Sequence, residues 1–251
     1  MLLSLGCAEE GVIVARRLSA PPPPSSALSS EPEPAYLLFL LDQSGTMGDG
    51  VNGDRALKWD PVTGALEAFV AQPPRTLLHA SMTLFPPDIF KRREPGAAGL
   101  QDTNESICQI ETYSVAQVPM APLPEPNAFT AAIDAVTPPN ERGTPTSAAL
   151  QGCILQAEGL LTEVPGAAVS VVLITDGIPG DCGMIELARA AAERARPRIA
   201  THVIVVGTSS PELDALAAAG GTLQAQLVPT GDPELTRRAM LEALHSAARS
   251  R

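Results

Sequence analysis

From Ala35 onward, short apolar runs alternate with segments whose apolar residues recur at helical spacing. That alternation constrains the fold more than any other feature of the chain. AVSVVLIT (168–175) is the strongest run, and AYLLFLL (35–41), ASMTLFP (80–86), ATHVIVVG (200–207) and TLQAQLV (222–228) read the same way. A run that is apolar on consecutive positions, rather than on every second one, marks a strand buried on both faces. Between the runs, 58–71 carries Trp59, Val62, Leu66, Phe69 and Val70 at helical spacing, with Pro61 tolerable in a first turn. Helices are also predicted at 127–136, 143–161, 184–195, 211–221 and 233–249. For 143–161, Thr144 is the expected N-cap and Pro145 the first helical residue. The stretch 112–118 reads as a weak edge strand ending at Pro119. Strand followed by helix, repeated, means an α/β chain with a mostly parallel sheet covered on both faces.

Charge narrows the partners. Seventeen Lys and Arg against 28 Asp and Glu give a formal net charge of −11. An acidic chain lacks the basic face that neutralises phosphates, so no nucleic-acid partner is expected, nor electrostatic docking on anionic lipid. Hydrophobic residues make up 45% of the 251, enough for a sizeable core. No run reaches the roughly 18 apolar residues of a membrane span.

The first 34 residues differ in kind. MLLSLGC is an apolar run ending in Gly6-Cys7, without the basic start of a full secretory signal. Its end resembles a bacterial lipoprotein signal, in which a small residue precedes the cysteine that is lipidated. Ser4 departs from that pattern, which prefers Leu. The expected organisation is a leader remnant at 1–18 with Cys7 as the lipidation site, a Pro/Ser-rich tether at 19–34, and one domain at 35–249. An ordinary cytosolic N-terminus with a stray Cys7 is the alternative.

In parallel sheets, ligands sit at the carboxyl ends of strands where strand order reverses. The first strand runs into Asp42-Gln43-Ser44-Gly45-Thr46, and two-residue spacing lets an extended or looped backbone aim all three side-chain oxygens at one spot. Gly143-Thr144-Pro145-Thr146 puts another hydroxyl at a helix start, and the strongest strand ends in Thr175-Asp176-Gly177. Two carboxylates and three hydroxyls form an oxygen-only donor set suited to a hard divalent cation such as Mg²⁺, with Mn²⁺ acceptable and Ca²⁺ a poorer match. Singly, each piece is a common turn or cap. Jointly, in this order, they are far more specific.

On those residues the chain resembles a von Willebrand factor A (VWA) domain. The metal-ion-dependent adhesion site (MIDAS) of that family follows Asp-x-Ser-x-Ser, a distant Thr and a distant Asp. Asp42, Ser44, Thr46, Thr144 and Asp176 meet the pattern, with Thr46 replacing the second Ser and adding a methyl group. The resemblance implies a Rossmann-like three-layer sandwich whose six-stranded sheet is parallel except for one antiparallel edge strand. It implies that Ser44 and Thr46 bind the metal directly, that Thr144 does so in a ligand-competent state, and that Asp176 then acts through water. Asp42 binds through water or holds the loop by hydrogen bonds. A partner protein's Asp or Glu carboxylate takes the remaining position. Leader, tether and domain together are similar to exported bacterial lipoproteins, at the outer or cell surface or in the periplasm, with the membrane reached only through lipid on Cys7.

Within that frame the cysteines can be placed. If the strand ending near Pro86 pairs with the edge strand, the insertion between them lies on the metal rim. Cys108, late in that insertion, and Cys182, six residues past Asp176, are then the expected disulfide. Cys153 lies nine residues past Thr144, roughly 13 Å down its helix, and is expected as a buried thiol. Asp49, Asp54, Glu105 and Asp181 read as solvated acids near the rim.

The leading functional expectation is a non-enzymatic, divalent-metal-dependent protein-binding module. Alternatives are a cytosolic VWA subunit partnering an ATPase complex and a metal-assisted hydrolase. Against the last, no His lies beside the motif, neither GxSxG nor GxxxxGK[ST] occurs, and two-metal hydrolysis needs more carboxylates.

Overall fold

The computed structural model describes residues 34–48, 55–74, 77–87, 107–136, 143–178 and 180–249. The expected leader with Cys7, the tether up to residue 33, Asp49, Asp54 and Glu105 lie outside the described residues. The strands are β1 (Ala35–Asp42), β2 (Leu78–Phe85), β3 (Val118–Pro122), β4 (Ala168–Thr175), β5 (Ile199–Val206) and β6 (Gln226–Val228). The described helices are α1 (Gly45–Gly48), α2 (Trp59–Ala71), α3 (Pro126–Asp134), α4 (Thr146–Glu163), α5 (Ile185–Ala195), α6 (Pro211–Ala219) and α7 (Pro233–Arg249).

One six-stranded sheet runs in the order β3-β2-β1-β4-β5-β6, and only β3 is antiparallel to its neighbour. β1 is buried at all eight positions, as its unbroken apolar run requires. Its residues alternate between two cores. Leu37, Phe39 and Leu41 pack with Trp59, Leu66 and Phe69 of α2 and with Met240 and Leu244 of α7. Leu38 and Leu40 pack with Leu150 and Cys153 of α4, Ala192 of α5 and Leu216 of α6. Phe39 meets Phe69 and Phe129 edge-on, with ring centroids 5.9 and 6.2 Å apart. Each large apolar side chain buried this way contributes about 1.5–3 kcal/mol. The result is the expected three-layer sandwich.

The edge strand stands later than the sequence suggests. Residues 110–113 form a 3₁₀ turn, and β3 begins only at Val118. Tyr113 is the reason, because it leaves the sheet and is fully buried, with its hydroxyl donating to Ile107 O at 2.7 Å. Gly152 of α4 lets this turn approach, since a Cβ there would lie 2.5 Å from Ile110 O. β3 carries Pro119 and Pro122, which only an edge accommodates because proline lacks the ladder donor. Gln117 compensates at one rung, its Oε1 accepting from Leu84 N at 2.8 Å.

Strand order reverses at β1, with β2 on one side and β4 on the other. Asp42, at the end of β1, is level with Phe85, and Leu41 is level with Ile174. The carboxyl ends of β1, β2 and β4 therefore form one rim. The antiparallel β2–β3 pairing brings the start of β3 to the same end of the sheet.

Candidate metal centre

The chain leaves β1 at Asp42 and turns at once into α1, a single turn of helix. That turn, rather than an extended loop, gathers the oxygens. Asp42 is fully buried, and both its carboxylate oxygens are hydrogen-bonded, one to backbone and one to a side chain. Oδ1 accepts from Ser44 N at 2.8 Å, and Oδ2 accepts from the Thr175 hydroxyl at 2.6 Å. Burial pushes the Asp42 carboxyl up to about 6, against the opposing pull of the Thr175 hydrogen bond, and the nearby Asp176 charge raises it further.

Above Asp42 the donors form a chain. Ser44 Oγ lies 3.1 Å from Thr46 Oγ1, and Thr46 Oγ1 donates to Asp176 Oδ1 at 2.9 Å. Ser44 is buried while Thr46 faces solvent, so the row of oxygens opens outward. Asp42, Ser44 and Thr46 thus form one hydrogen-bonded constellation with Asp176, which lies 130 or more positions away in sequence. The separation of Thr46 from Asp176 is 130 and that of Asp42 from Thr175 is 133.

Thr144 joins the same rim through its backbone. Its carbonyl accepts from Thr146 N at 2.8 Å and from Gly180 N at 3.3 Å, in the loop that follows Asp176. It does not cap α4 with its side chain as expected, because the N-cap position is held by Pro145 and no side chain caps the helix. Thr146, the first helical residue, is fully buried with an unpartnered hydroxyl. Gly143 leaves room for Asp181 here, since a Cβ would fall 1.1 Å from Asp181 Oδ2. Asp181 is therefore packed across Gly143 rather than simply solvated.

The loop from Asp176 to Met184 is pinned from three sides. Ser147 Oγ donates to Met184 O at 2.9 Å, Gly180 is bonded to Thr144, and Cys182 is disulfide-bonded to Cys108. Cys182 and Gly183 both adopt left-handed backbone, φ +62° and +98°, to turn the chain into α5. The expected Cys108–Cys182 pairing is present, and Cys153 is a buried free thiol.

Lys58, absent from the sequence-based site, also contacts the constellation. Its Nζ donates to Asp176 Oδ2 at 2.6 Å and to Thr46 O at 2.9 Å. A signal was available: Lys58 precedes α2, and a cation at a helix N-terminus works against the helix dipole. A lysine there calls for an anion close by.

In structure, the chain resembles PTMP1, the proximal thread matrix protein 1 of the mussel byssus, solved with a zinc-occupied MIDAS motif. The identity is 15% and the TM-score 0.56, over 86% of this chain and 46% of that one. The VWA domain of SpRpn10 matches at 12% identity and TM-score 0.51, over 82% of this chain and 93% of that one. The fold is the VWA fold. A membrane protein related to aerotolerance, from Bacteroides fragilis, matches at 16% identity and TM-score 0.51, over 84% and 99% of the two chains. No family profile matches the sequence, and no curated protein matches it.

The constellation at the ends of β1 and β4 fits a hard cation by its donor chemistry. Hydroxyl and carboxylate oxygens converge, and a charged ammonium already pairs with one of them, Asp176 Oδ2, and with the Thr46 backbone carbonyl beside them. Among the described residues no three His, Cys, Asp or Glu side chains cluster, so a nitrogen- or sulfur-rich site is not built. Nor is any described helix long and apolar enough to cross a membrane.

Proposed function

We propose that this VWA domain is a divalent-metal-dependent protein-binding module of the adhesion or interaction type, and not an enzyme. The observation that carries the reading is the continuous Ser44–Thr46–Asp176 oxygen chain, seated on buried Asp42 where strand order reverses. Ser44, Thr46 and Thr144 would hold Mg²⁺, or Mn²⁺, directly, with Asp42 and Asp176 in support. Hydroxyl donors leave the cation electrophilic, so when bound it supplies a Lewis-acid position for a partner's Asp or Glu carboxylate. The chain's own residues orient that position. Asp42 fixes the loop, Thr175 fixes Asp42, and the Cys108–Cys182 bridge holds the rim.

Export fits better than a cytosolic place beside an ATPase, because a disulfide between two loops persists in oxidising compartments. Anchoring through lipid on Cys7 completes the proposal, with the tether holding the domain off the surface.

Titrating the full chain with Mn²⁺ and following free ion by electron paramagnetic resonance tests the reading. One site that vanishes in Ser44→Ala/Thr46→Ala is the expected result. Saturable binding unchanged in that variant, or no binding at all, would sink it. Fatty-acid incorporation lost in Cys7→Ser tests the anchor separately.

A further inference from the structure

The Lys58 side chain is only 16% exposed, and that of Asp176 only 3%. The Lys58 ammonium spends its contacts on Asp176 Oδ2, a carboxylate of the proposed metal centre, and on the backbone carbonyl of Thr46, whose hydroxyl belongs to that centre. Asp176 is thereby closed on both sides, with Thr46 on Oδ1 and Lys58 on Oδ2. The neighbouring base behaves otherwise. Arg55 pairs with Asp60 at 3.5 Å and lies over the Trp59 ring, 5.8 Å from its centroid. Both Arg55 and Asp60 are well exposed, as surface pairs of small consequence are.

We propose that Lys58 is a built-in competitor for the divalent ion: its ammonium holds Asp176 in the metal-free chain and must yield when a divalent cation enters. This rests on the metal reading above and adds a regulatory residue to it. The physics is charge balance in a confined site. Asp42 and Asp176 can carry two negative charges, and Lys58 offsets one of them. A divalent ion entering within a few ångströms of the ammonium is repelled by it and finds Asp176 already paired. Affinity is therefore set low, and the site fills only where divalent ion is abundant, as outside the cell. Once the ion is bound, the displaced ammonium leaves an extra positive charge beside a partner's carboxylate.

The test compares Mn²⁺ affinity of the full chain as wild type, Lys58→Met and Lys58→Arg, with circular dichroism to verify folding. Lys58→Met is expected to bind at least about tenfold more tightly, and Lys58→Arg within about threefold of wild type. A merely structural Lys58 predicts the opposite sign, weaker binding in Lys58→Met. Equal or weaker binding in a folded Lys58→Met, with wild type still binding, overturns this inference and leaves the metal centre standing. Binding by neither protein removes both. Should Lys58→Met not fold, acetylation of Lys58 in wild type decides. Its reactivity is expected to rise several-fold when Mg²⁺ is added, and unchanged reactivity overturns the proposal.

Discussion

Thr175 donates its hydroxyl to Asp42 Oδ2 at 2.6 Å, inside the protein, tying the end of β4 to the end of β1 beneath the candidate metal centre. Both residues are fully buried. Thr175→Val keeps the shape and removes the donor, leaving a buried carboxylate oxygen unpaired. The expected loss is about 1–3 kcal/mol of stability in urea unfolding, together with weaker Mn²⁺ binding. Thr175→Ser, which keeps the hydroxyl, should restore most of the metal affinity.

Asp42 makes the metal-free fold sensitive to pH. Its carboxyl titrates near 3.8 when exposed and near 6 in the fold, chiefly because it is buried. Between those values the folded state keeps a proton that the unfolded state releases, so this residue's contribution falls as pH rises through the window. Its cost is complete above about pH 6 and reaches roughly 3 kcal/mol. In EDTA, Asp42→Asn should therefore unfold at higher urea than wild type at pH 7.5, and the difference should vanish by about pH 4. Saturating Mg²⁺ should close the gap at pH 7.5 by stabilising wild type alone. A variant no more stable than wild type in EDTA would contradict this.

His202 acts in the opposite sense. It is buried on β5 with Nε2 unpartnered, and burial holds it below the ordinary histidine value of 6.5. As pH falls below 6.5 the unfolded chain takes up a proton that the folded chain resists, so the fold loses stability towards acid. His202→Leu should flatten that acid limb of the urea midpoint between pH 6.5 and 5 while leaving the limb above pH 7 unchanged.

Most of the fold was legible because its strands are saturated with apolar residues. AVSVVLIT runs from the first residue of β4 to its last. β6 was overextended, since only Gln226–Val228 pair with β5. The edge strand was misplaced because Tyr113 looks like a strand residue but is consumed by packing between α4 and the insertion, a tertiary effect that local pattern cannot carry. The site residues were readable because three short motifs converge at strand ends. Lys58 offers only an indirect cue, a cation at the start of α2, because its contact with Asp176 spans 118 residues and belongs to no repeating spacing.

Reduction should separate the cysteines cleanly. Cys153 is fully buried on α4, and burial pushes its thiol up to about 12, so it is neither accessible nor ionised near neutral pH. Mild reductant followed by iodoacetamide should label Cys108 and Cys182 and spare Cys153 until denaturant is added, as read by peptide mass. Opening the bridge frees the Asp176–Met184 loop from the insertion, 74 residues away in sequence. A stability loss of roughly 2–4 kcal/mol should accompany it.

Gly143 and Asp181 offer a test of how tightly the rim is packed. In Gly143→Ala the new methyl occupies the place of Asp181 Oδ2, 1.1 Å from it, so one of the two must move. The movable party is the Asp181 side chain, the end of a flexible group, so the cost should be about 1 kcal/mol rather than the several expected of a clash with backbone. Displacing Asp181 also pushes on the loop that Gly180 N bonds to Thr144 O, the contact that seats Thr144 at the rim. Gly143→Ala should therefore weaken Mn²⁺ binding several-fold. Adding Asp181→Gly should restore both stability and affinity, because it removes the group in the way. Recovery of stability without affinity would mean that Asp181 itself contributes to the cation's field.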